Sequence, residues 1–404
     1  MQKMKSRKKT KSSSNPTRIS EFRYLPTELC TQILANLPAK TVLRFRCVCK
    51  SWCDIIDNPD FVALHRKICK INSVSSKLLL SFEWLGRFGR KGCLLTVRHA
   101  DALRKTDQIL KTSQKYDLNG SCNELVLIRG LTGLGERNPL MLWNPCIRKS
   151  LSIPLPPLLS SSAGRVVYAF GFAPNINDYK VVAISSDWSQ ADGTNTCFAV
   201  YTLSDQQWSL RNDGFNMSYP YYSRMFSRYC PQTGFNFQGA LYWIGYDPNR
   251  DGNVADSSTH LVSLDFDLEK FNYMELPFAS DDRGAVRLPF RLRESLAVFC
   301  ISSVQSSIWA LEGDIGTGVW TQRFSGLSSS DGFDLFKSAP FLPLFYYDSD
   351  DGGRIVYWKN SYNITSCQVH ELGKSMRDYV DMQMYMEGLV LCKGYGAEDL
   401  QSCS

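Results

Sequence analysis

Apolar positions recur at helical spacing between Leu25 and Phe61, and after His65 they alternate in short runs, so the chain changes period once. Leu25, Leu29, Ile33, Leu34 and Leu37 define one broad helical face. Pro26 suits a first helical turn, where a missing N–H costs nothing, and Pro38 forces a stop. Thr41 can cap a second run, in which Val42, Phe45, Val48, Trp52, Ile55 and Ile56 fall at about helical period until Asn58-Pro59. The pattern predicts a compact unit of two or three short helices.

From Lys77 onward, runs such as Cys93–Val97, Glu124–Ile128, Val166–Phe172, Phe198–Leu203, His260–Phe266 and Leu296–Ser302 read as strands bounded by turn residues. About fourteen to sixteen such runs with few helical windows predict an all-β domain. A weak repeat shows through. Leu142-Trp143-Asn144-Pro145, Val200-Tyr201-Thr202-Leu203, Val262-Ser263-Leu264-Asp265 and Ile308-Trp309-Ala310-Leu311 each precede a polar turn and a second strand. The units lie roughly 50–60 residues apart, near the length of a kelch-like propeller blade. Closure into a ring would protect the many strand edges. The only Gly-Gly doublet is Gly352-Gly353, so a β-sandwich or two stacked sheets is the alternative. The expected fold is multidomain: a small all-α bundle followed by a large, all-β, propeller-like domain.

A bundle of about 40 residues is too small to bury a full core alone. It nevertheless carries roughly ten large apolar side chains, each worth about 1.5–3 kcal/mol if buried. One face is therefore expected to be left over, either for another chain or to pack on the rest of the same protein, and periodicity alone does not separate the two.

Composition supports a folded protein: 404 residues, 44% hydrophobic and 12% aromatic. No apolar run approaches the ~20 residues that cross a bilayer, so no membrane association is expected. The basic, polar start has no apolar stretch after it and does not read as a secretory signal. A reducing compartment, nucleus or cytoplasm, is expected, with the 14 Cys as thiols. Residues 1–18 hold seven basic residues and no acid, which equals the whole chain's net +7. The remainder is balanced, so the basic character is a tail and nucleic-acid binding is not expected. Lys8, Lys9 and Lys11 are candidates for a nuclear-import address.

Candidate chemistry is sparse. Of Cys47, Cys49 and Cys53, only the last two share a helix face, and no Cys-x-x-Cys or paired His completes a metal set. The four histidines, His65, His99, His260 and His370, sit in no catalytic or ligand motif. Gly130-x-x-Gly133-x-Gly135 has the wrong spacing for a phosphate loop. The aromatic run Tyr219, Tyr221, Tyr222, Phe226 and Tyr229 fits an interface anchor or core packing equally. No cofactor, metal or catalytic residue is expected.

Two resemblances add to this reading. Leu25-Pro26-x-Glu28-Leu29, Ile33-Leu34-x-x-Leu37-Pro38-x-Lys40, Leu43-Arg44-Phe45-Arg46-Cys47-Val48-Cys49-Lys50-Ser51-Trp52 and Asp60-Phe61 resemble the F-box, particularly its plant form. Asn119-Gly120-Ser121-Cys122-Asn123, Leu142-Trp143-Asn144-Pro145, Asp178-Tyr179-Lys180-Val181-Val182, Gly239-Ala240-Leu241-Tyr242-Trp243 and Leu264-Asp265-Phe266-Asp267-Leu268-Glu269 come in that order. Together with Tyr385-Met386-Glu387-Gly388-Leu389-Val390 they resemble the F-box-associated interaction domain of plant F-box proteins. Glu124 departs from that pattern, in which a Gly usually follows Cys-Asn.

The resemblance implies that Leu25, Pro26, Leu29, Ile33, Leu37, Pro38, Val42, Leu43 and Cys47 dock a Skp-family adaptor and, through it, a cullin. Phe45, Trp52 and Ile56 would hold the bundle together. The β domain would recruit an unidentified target protein to a ubiquitin ligase, with no bond made by this chain. The implied layout is a basic tail (1–19), F-box (20–66), linker (67–76), β domain (77–395) and C-terminal tail (396–404). The rival reading is a propeller-type glycan-binding protein or enzyme with an accessory helical arm.

Overall fold

The computed structural model describes residues 25–72, 78–84, 93–99, 105–112, 116–130, 139–157, 165–186, 196–211, 234–245, 260–277, 286–302, 305–327, 345–349, 352–357, 360–363, 365–366, 368–371, 379–391, 396 and 398–399. Four helices open the described chain: α1 (Thr27–Ala35), α2 (Ala39–Phe45), α3 (Lys50–Ile56) and α4 (Pro59–Asn72). Pro26 and Pro38 each stand immediately before a helix, where proline's fixed φ suits entry. α4 continues to Asn72, into the stretch read as a linker from sequence.

Strands follow in sets. β1 (Leu78–Trp84), β2 (Cys93–His99) and β3 (Lys105–Thr112) form the first. The second holds β4 (Tyr116–Cys122), β5 (Leu125–Gly130), β6 (Leu140–Asn144) and β7 (Lys149–Ile153), the third β8 (Arg165–Ala173), β9 (Asp178–Ser186), β10 (Thr196–Thr202) and β11 (Gln207–Arg211). β12 (Phe235–Phe237), β13 (Ala240–Gly245), β14 (His260–Asp265) and β15 (Lys270–Glu275) make the fourth. The fifth comprises β16 (Val286–Leu292), β17 (Ser295–Ile301), β18 (Gln305–Glu312) and β19 (Val319–Leu327). The sixth has β20 (Phe345–Ser349), β21 (Gly352–Tyr357), β22 (Asn360–Asn363) and β23 (Val369–Glu371). β24 (Tyr379–Tyr385) returns to β1, and the two-residue β25 (Glu398–Asp399) lies on β7.

Among the described residues these strands make six antiparallel sheets, four of them up-and-down meanders of consecutive strands, while the first adds β24 and the second β25 at an edge; each has its innermost strand at one edge. Neighbouring sheets touch through their inner strands: β24 meets β4, β4 meets β8, β8 meets β13, and β16 meets β12, β13 and β20. The first sheet takes its innermost strand from the far end of the chain, with Leu78 opposite Tyr385. That closure makes a six-bladed propeller whose first blade is completed by its last long strand.

The core lies between blades, because each sheet buries both faces. Leu125, Leu127, Leu142, Val181, Ala183 and Tyr201 pack the second blade on the third. Val182, Val200, Trp243, Val262 and Phe266 pack the third on the fourth. Ile244, Leu261, Val298 and Leu311 pack the fourth on the fifth. At Gly171 a Cβ would lie 1.9 Å from the Phe266 ring, so only glycine admits that ring.

The strand number exceeds expectation: 25 among the described residues against fourteen to sixteen read from the sequence. Of the six innermost strands, β4, β12, β16, β20 and β24 were not anticipated. β4 carries Asn119 and Gly120 at a register irregularity, and β16 carries Pro289. An innermost strand is the edge of its own sheet, where proline and irregular backbone are tolerated.

Polar side chains staple the blades. Lys180 Nζ donates to Phe266 O at 2.6 Å and to Glu269 Oε1 at 2.8 Å, and Arg211 Nε donates to Glu269 Oε2 at 2.7 Å. Burial acts against the Glu269 carboxylate, but Lys180 and Arg211 outweigh it and hold its pKa below the ordinary value. Asn144 Nδ2 donates to Gly388 O (3.1 Å) and Val390 O (2.8 Å), while its Oδ1 accepts from Cys146 N (3.0 Å). A fully buried amide thus ties the segment after the closing strand to the second blade. Asn144→Ala should therefore lower unfolding free energy by about 2–4 kcal/mol, through lost bonds and two buried carbonyls left unpaired. A urea-unfolding midpoint equal to that of the unaltered protein would contradict this role.

Candidate functional site

The bundle encloses Leu34, Ala35, Ala39, Val42, Ile56 and Phe61, fully or nearly buried, with Phe45, Trp52, Ile55 and Leu64 around them. Phe45 and Trp52 meet at 5.4 Å between ring centroids. A forked ion pair braces α3 against the end of α2: Arg46 Nε and Nη2 reach Asp57 Oδ1 and Oδ2 at 2.6 and 2.9 Å.

The bundle's other surface is apolar and open. Leu25 is 56% exposed, Leu29 47%, Ile33 53% and Val48 61%. Three of these follow the i, i+4 spacing along α1 and its lead-in, so they share a face. Pro26, Pro38 and Cys47 are exposed as well, and Leu37 and Leu43 are half-buried. Val42, expected on that docking face, instead sits at the bundle's centre, because α2 turns it onto Leu34 and Ile56. Val48 belongs to the open surface and was not among the assigned contact residues, although its position in the second apolar run is a legible signal.

The opposite side of the bundle is seated on the propeller. Leu389 and half-buried Cys146, both from the β domain, complete the bundle's core. Part of the cover that so small a unit needs therefore comes from its own chain.

α4 points two successive side chains in opposite directions. His65 turns back into the bundle, where its Nε2 lies 3.0 Å from Leu37 O and Cys69 Sγ is 3.6 Å from Nδ1. Burial pulls the His65 pKa below the ordinary value, against the opposing Leu37 carbonyl and Glu124 charge, which favours the neutral ring. Arg66 turns to the propeller. Its Nε donates to Glu124 Oε1 at 2.9 Å and its Nη1 to Asn177 Oδ1 at 2.9 Å.

The Arg66 guanidinium lies over the Phe172 and Tyr179 rings at 4.8 and 5.3 Å, and Lys70 covers Phe172 at 5.2 Å. Tyr179 OH donates to the second Glu124 oxygen at 2.9 Å, so both carboxylate oxygens are satisfied. The side chains of Arg66 and Glu124 are only 8% and 0% exposed. Burial opposes the Arg66 charge, yet Glu124 and Tyr179 outweigh it and push its pKa above the ordinary value.

Backbone geometry presents these groups. Asn123 and Asn177 adopt φ of 52° and 54° in the tight turns after β4 and β8, a conformation that Asn tolerates. The segment after β24 crosses so near that a Cβ on Gly388 would lie 2.7 Å from Glu124 Cβ. A weaker, exposed pair, Lys40 to Glu387 at 3.3 Å, closes the junction's rim. Arg66 and Glu124 were not singled out as site residues from the sequence. The signal was the acid standing where the resembled pattern has glycine.

Burial favours the protonated thiols here. Burial pushes Cys69 up to about 11 and Cys122 and Cys146 up to about 12. Among the described residues no group of three or more His, Cys, Asp or Glu could hold a metal ion. Lys8, Lys9, Lys11 and the aromatic run at 219–229 lie outside the described residues.

Fold and site define a class: a helical arm with an open apolar strip, fixed to a six-bladed propeller. Comparison with known families names it. The F-box domain matches residues 22–64, and the F-box associated beta propeller domain matches residues 65–390. The chain belongs to the F-box proteins that carry this propeller. It is similar to an Arabidopsis thaliana F-box/kelch-repeat protein, 25% identical over 297 residues, covering 71% of this chain and 75% of the relative. An F-box protein of the same plant is 25% identical over 371 residues, covering 89% and 84%. F-box domains bind Skp-type adaptors, and their propellers typically serve recognition.

Glu124→Gln should cost about 3–5 kcal/mol, because it leaves the Arg66 charge buried without a counter-charge. Adding Arg66→Met should recover most of that loss, since no orphan charge remains while the introduced amide's carbonyl still accepts from Tyr179. Urea unfolding of the two variants checks this, and a double variant no more stable than the single one would contradict it.

Proposed function

We propose that this chain is the target-recognition subunit of a Skp–cullin–F-box ubiquitin ligase. The observation that carries the reading is the strip of Leu25, Leu29, Ile33 and Val48, each about half exposed or more on a bundle whose other large apolar residues are buried or half-buried. An uncovered apolar strip of this kind is a protein-contact surface. Leu25, Pro26, Leu29, Ile33, Pro38, Cys47 and Val48 would meet the adaptor directly, with Leu37 and Leu43 at the edge. Val42 supports the strip from inside.

The chain's contribution is spatial. The propeller holds a target protein near a ubiquitin-charged enzyme borne by the other subunits, which raises effective concentration and fixes orientation. Lys8, Lys9 and Lys11 would serve as an import address for work in the nucleus as well as the cytoplasm.

Ile33→Glu tests the docking face. The substitution is harmless to the free protein, where Ile33 already meets water, but places an unpaired charge in an apolar interface. The expected result is loss of Skp-adaptor co-purification with an unchanged melting temperature. Undiminished co-purification would overturn the assignment.

A further inference from the structure

Two kinds of contact join bundle and propeller, and they differ in what they determine. The apolar contact through Leu389 and Cys146 is non-directional and tolerates rotation of one body on the other. The contact through Arg66 does not. Its planar guanidinium is fixed along one edge by the turn after β4, through Glu124, and along another by the turn after β8, through Asn177. Its face is set by the rings of Phe172 and Tyr179, and Tyr179 also holds the far oxygen of Glu124. Two blades and one helix therefore meet on a single side chain with its plane, edge and height all defined.

A hydrophobic pair of similar volume could hold such a junction with equal or greater stability. Stability is thus not the property that this arrangement supplies best; direction is.

Resting on the ligase reading above, we infer that Arg66 and Glu124 are positioning residues: they set the propeller's orientation to the adaptor-bound bundle and thereby select which lysines the ubiquitin-charged enzyme reaches. They touch neither adaptor nor target.

The chain's own lysines report on this without a known target. Lys50 and Lys67 are exposed on the bundle and would ride with the adaptor whatever the junction does, whereas Lys270 is exposed on the fourth blade and moves with the propeller. The experiment uses the full chain assembled with a Skp-family adaptor, cullin and its charged-enzyme-binding subunit, supplied with lysine-free ubiquitin. Modified lysines are mapped by mass spectrometry over time, and adaptor affinity is measured in parallel. Arg66→Met combined with Glu124→Gln, which removes both charges, is compared with the unaltered chain.

The expected result is adaptor affinity within about twofold of the unaltered chain and unchanged modification of bundle lysines. Conjugation on the propeller should spread over more lysines, and the rate at its preferred one should fall about tenfold or more, as misplacement of a reacting group does. An identical propeller pattern and rate, with adaptor binding intact, would overturn this inference alone. Failure of the unaltered chain to bind any Skp-family adaptor would overturn the ligase reading and the inference with it.

Discussion

The placement of one fold on the other is set by one buried ion pair. Arg66 and Glu124 come from segments 58 residues apart in sequence and meet with almost no solvent at the junction of two folds. Burying both charges is expensive, and only full satisfaction of their hydrogen-bonding groups makes it tolerable. That satisfaction enlists Asn177, Tyr179, Phe172 and the close approach of Gly388. The pair thereby draws together the second blade, the third blade, the segment after the closing strand and the last helix of the F-box. None of these elements can shift much without uncovering a charge.

The same logic explains what the propeller's signature residues do. Glu124, Asn144, Tyr179, Lys180 and Glu269 all lie in or beside the motifs that mark the family, and each reaches an element beyond its own strand pair. Their burial and hydrogen bonding are those of staples between blades. A ring of twisted sheets has its apolar core in separate layers, so directional polar contacts are what align one layer with the next. These motif residues hold blade to blade.

Much of this was legible in the sequence, and the rest was hidden for identifiable reasons. Helical period and two prolines located the helical region, since Pro26 and Pro38 stand immediately before α1 and α2, but Thr41, read as a cap, lies inside α2, and the run from Val42 to Ile56 is split between α2 and α3. Most outer and middle strands announced themselves through β-branched and aromatic runs such as Phe198–Leu203, but the polar β3 and β22 did not. Of the innermost strands only β8 did; in β4 and β16 the residues Asn119, Gly120 and Pro289 are turn signals wherever a strand is not an edge. Val42 was placed on the docking face by the F-box resemblance, and periodicity could not correct that, because it assigns a face but not which of two apolar faces is covered. Arg66 and Glu124 are single charged residues far apart in the chain, and nothing local shows that they meet. What sequence did show was that a bundle of this size could not cover itself, and the structure divides that cover between Leu389 and Cys146 on one side and an open strip on the other.

If the Arg66 contact makes the arm rigid, a target held by the propeller of the proposed ligase would lie at a fixed distance and angle from whatever the strip of Ile33 and Val48 binds. The most direct test is the distance distribution between two spin labels, introduced as non-natural amino acids at exposed Asp54 on α3 and exposed Lys270 on the fourth blade. With the Arg66–Glu124 pair intact, the account predicts a single narrow distribution that broadens when both residues are replaced by uncharged ones. A broad or multimodal distribution in the unaltered protein would contradict the claim that this contact makes one body of the two domains.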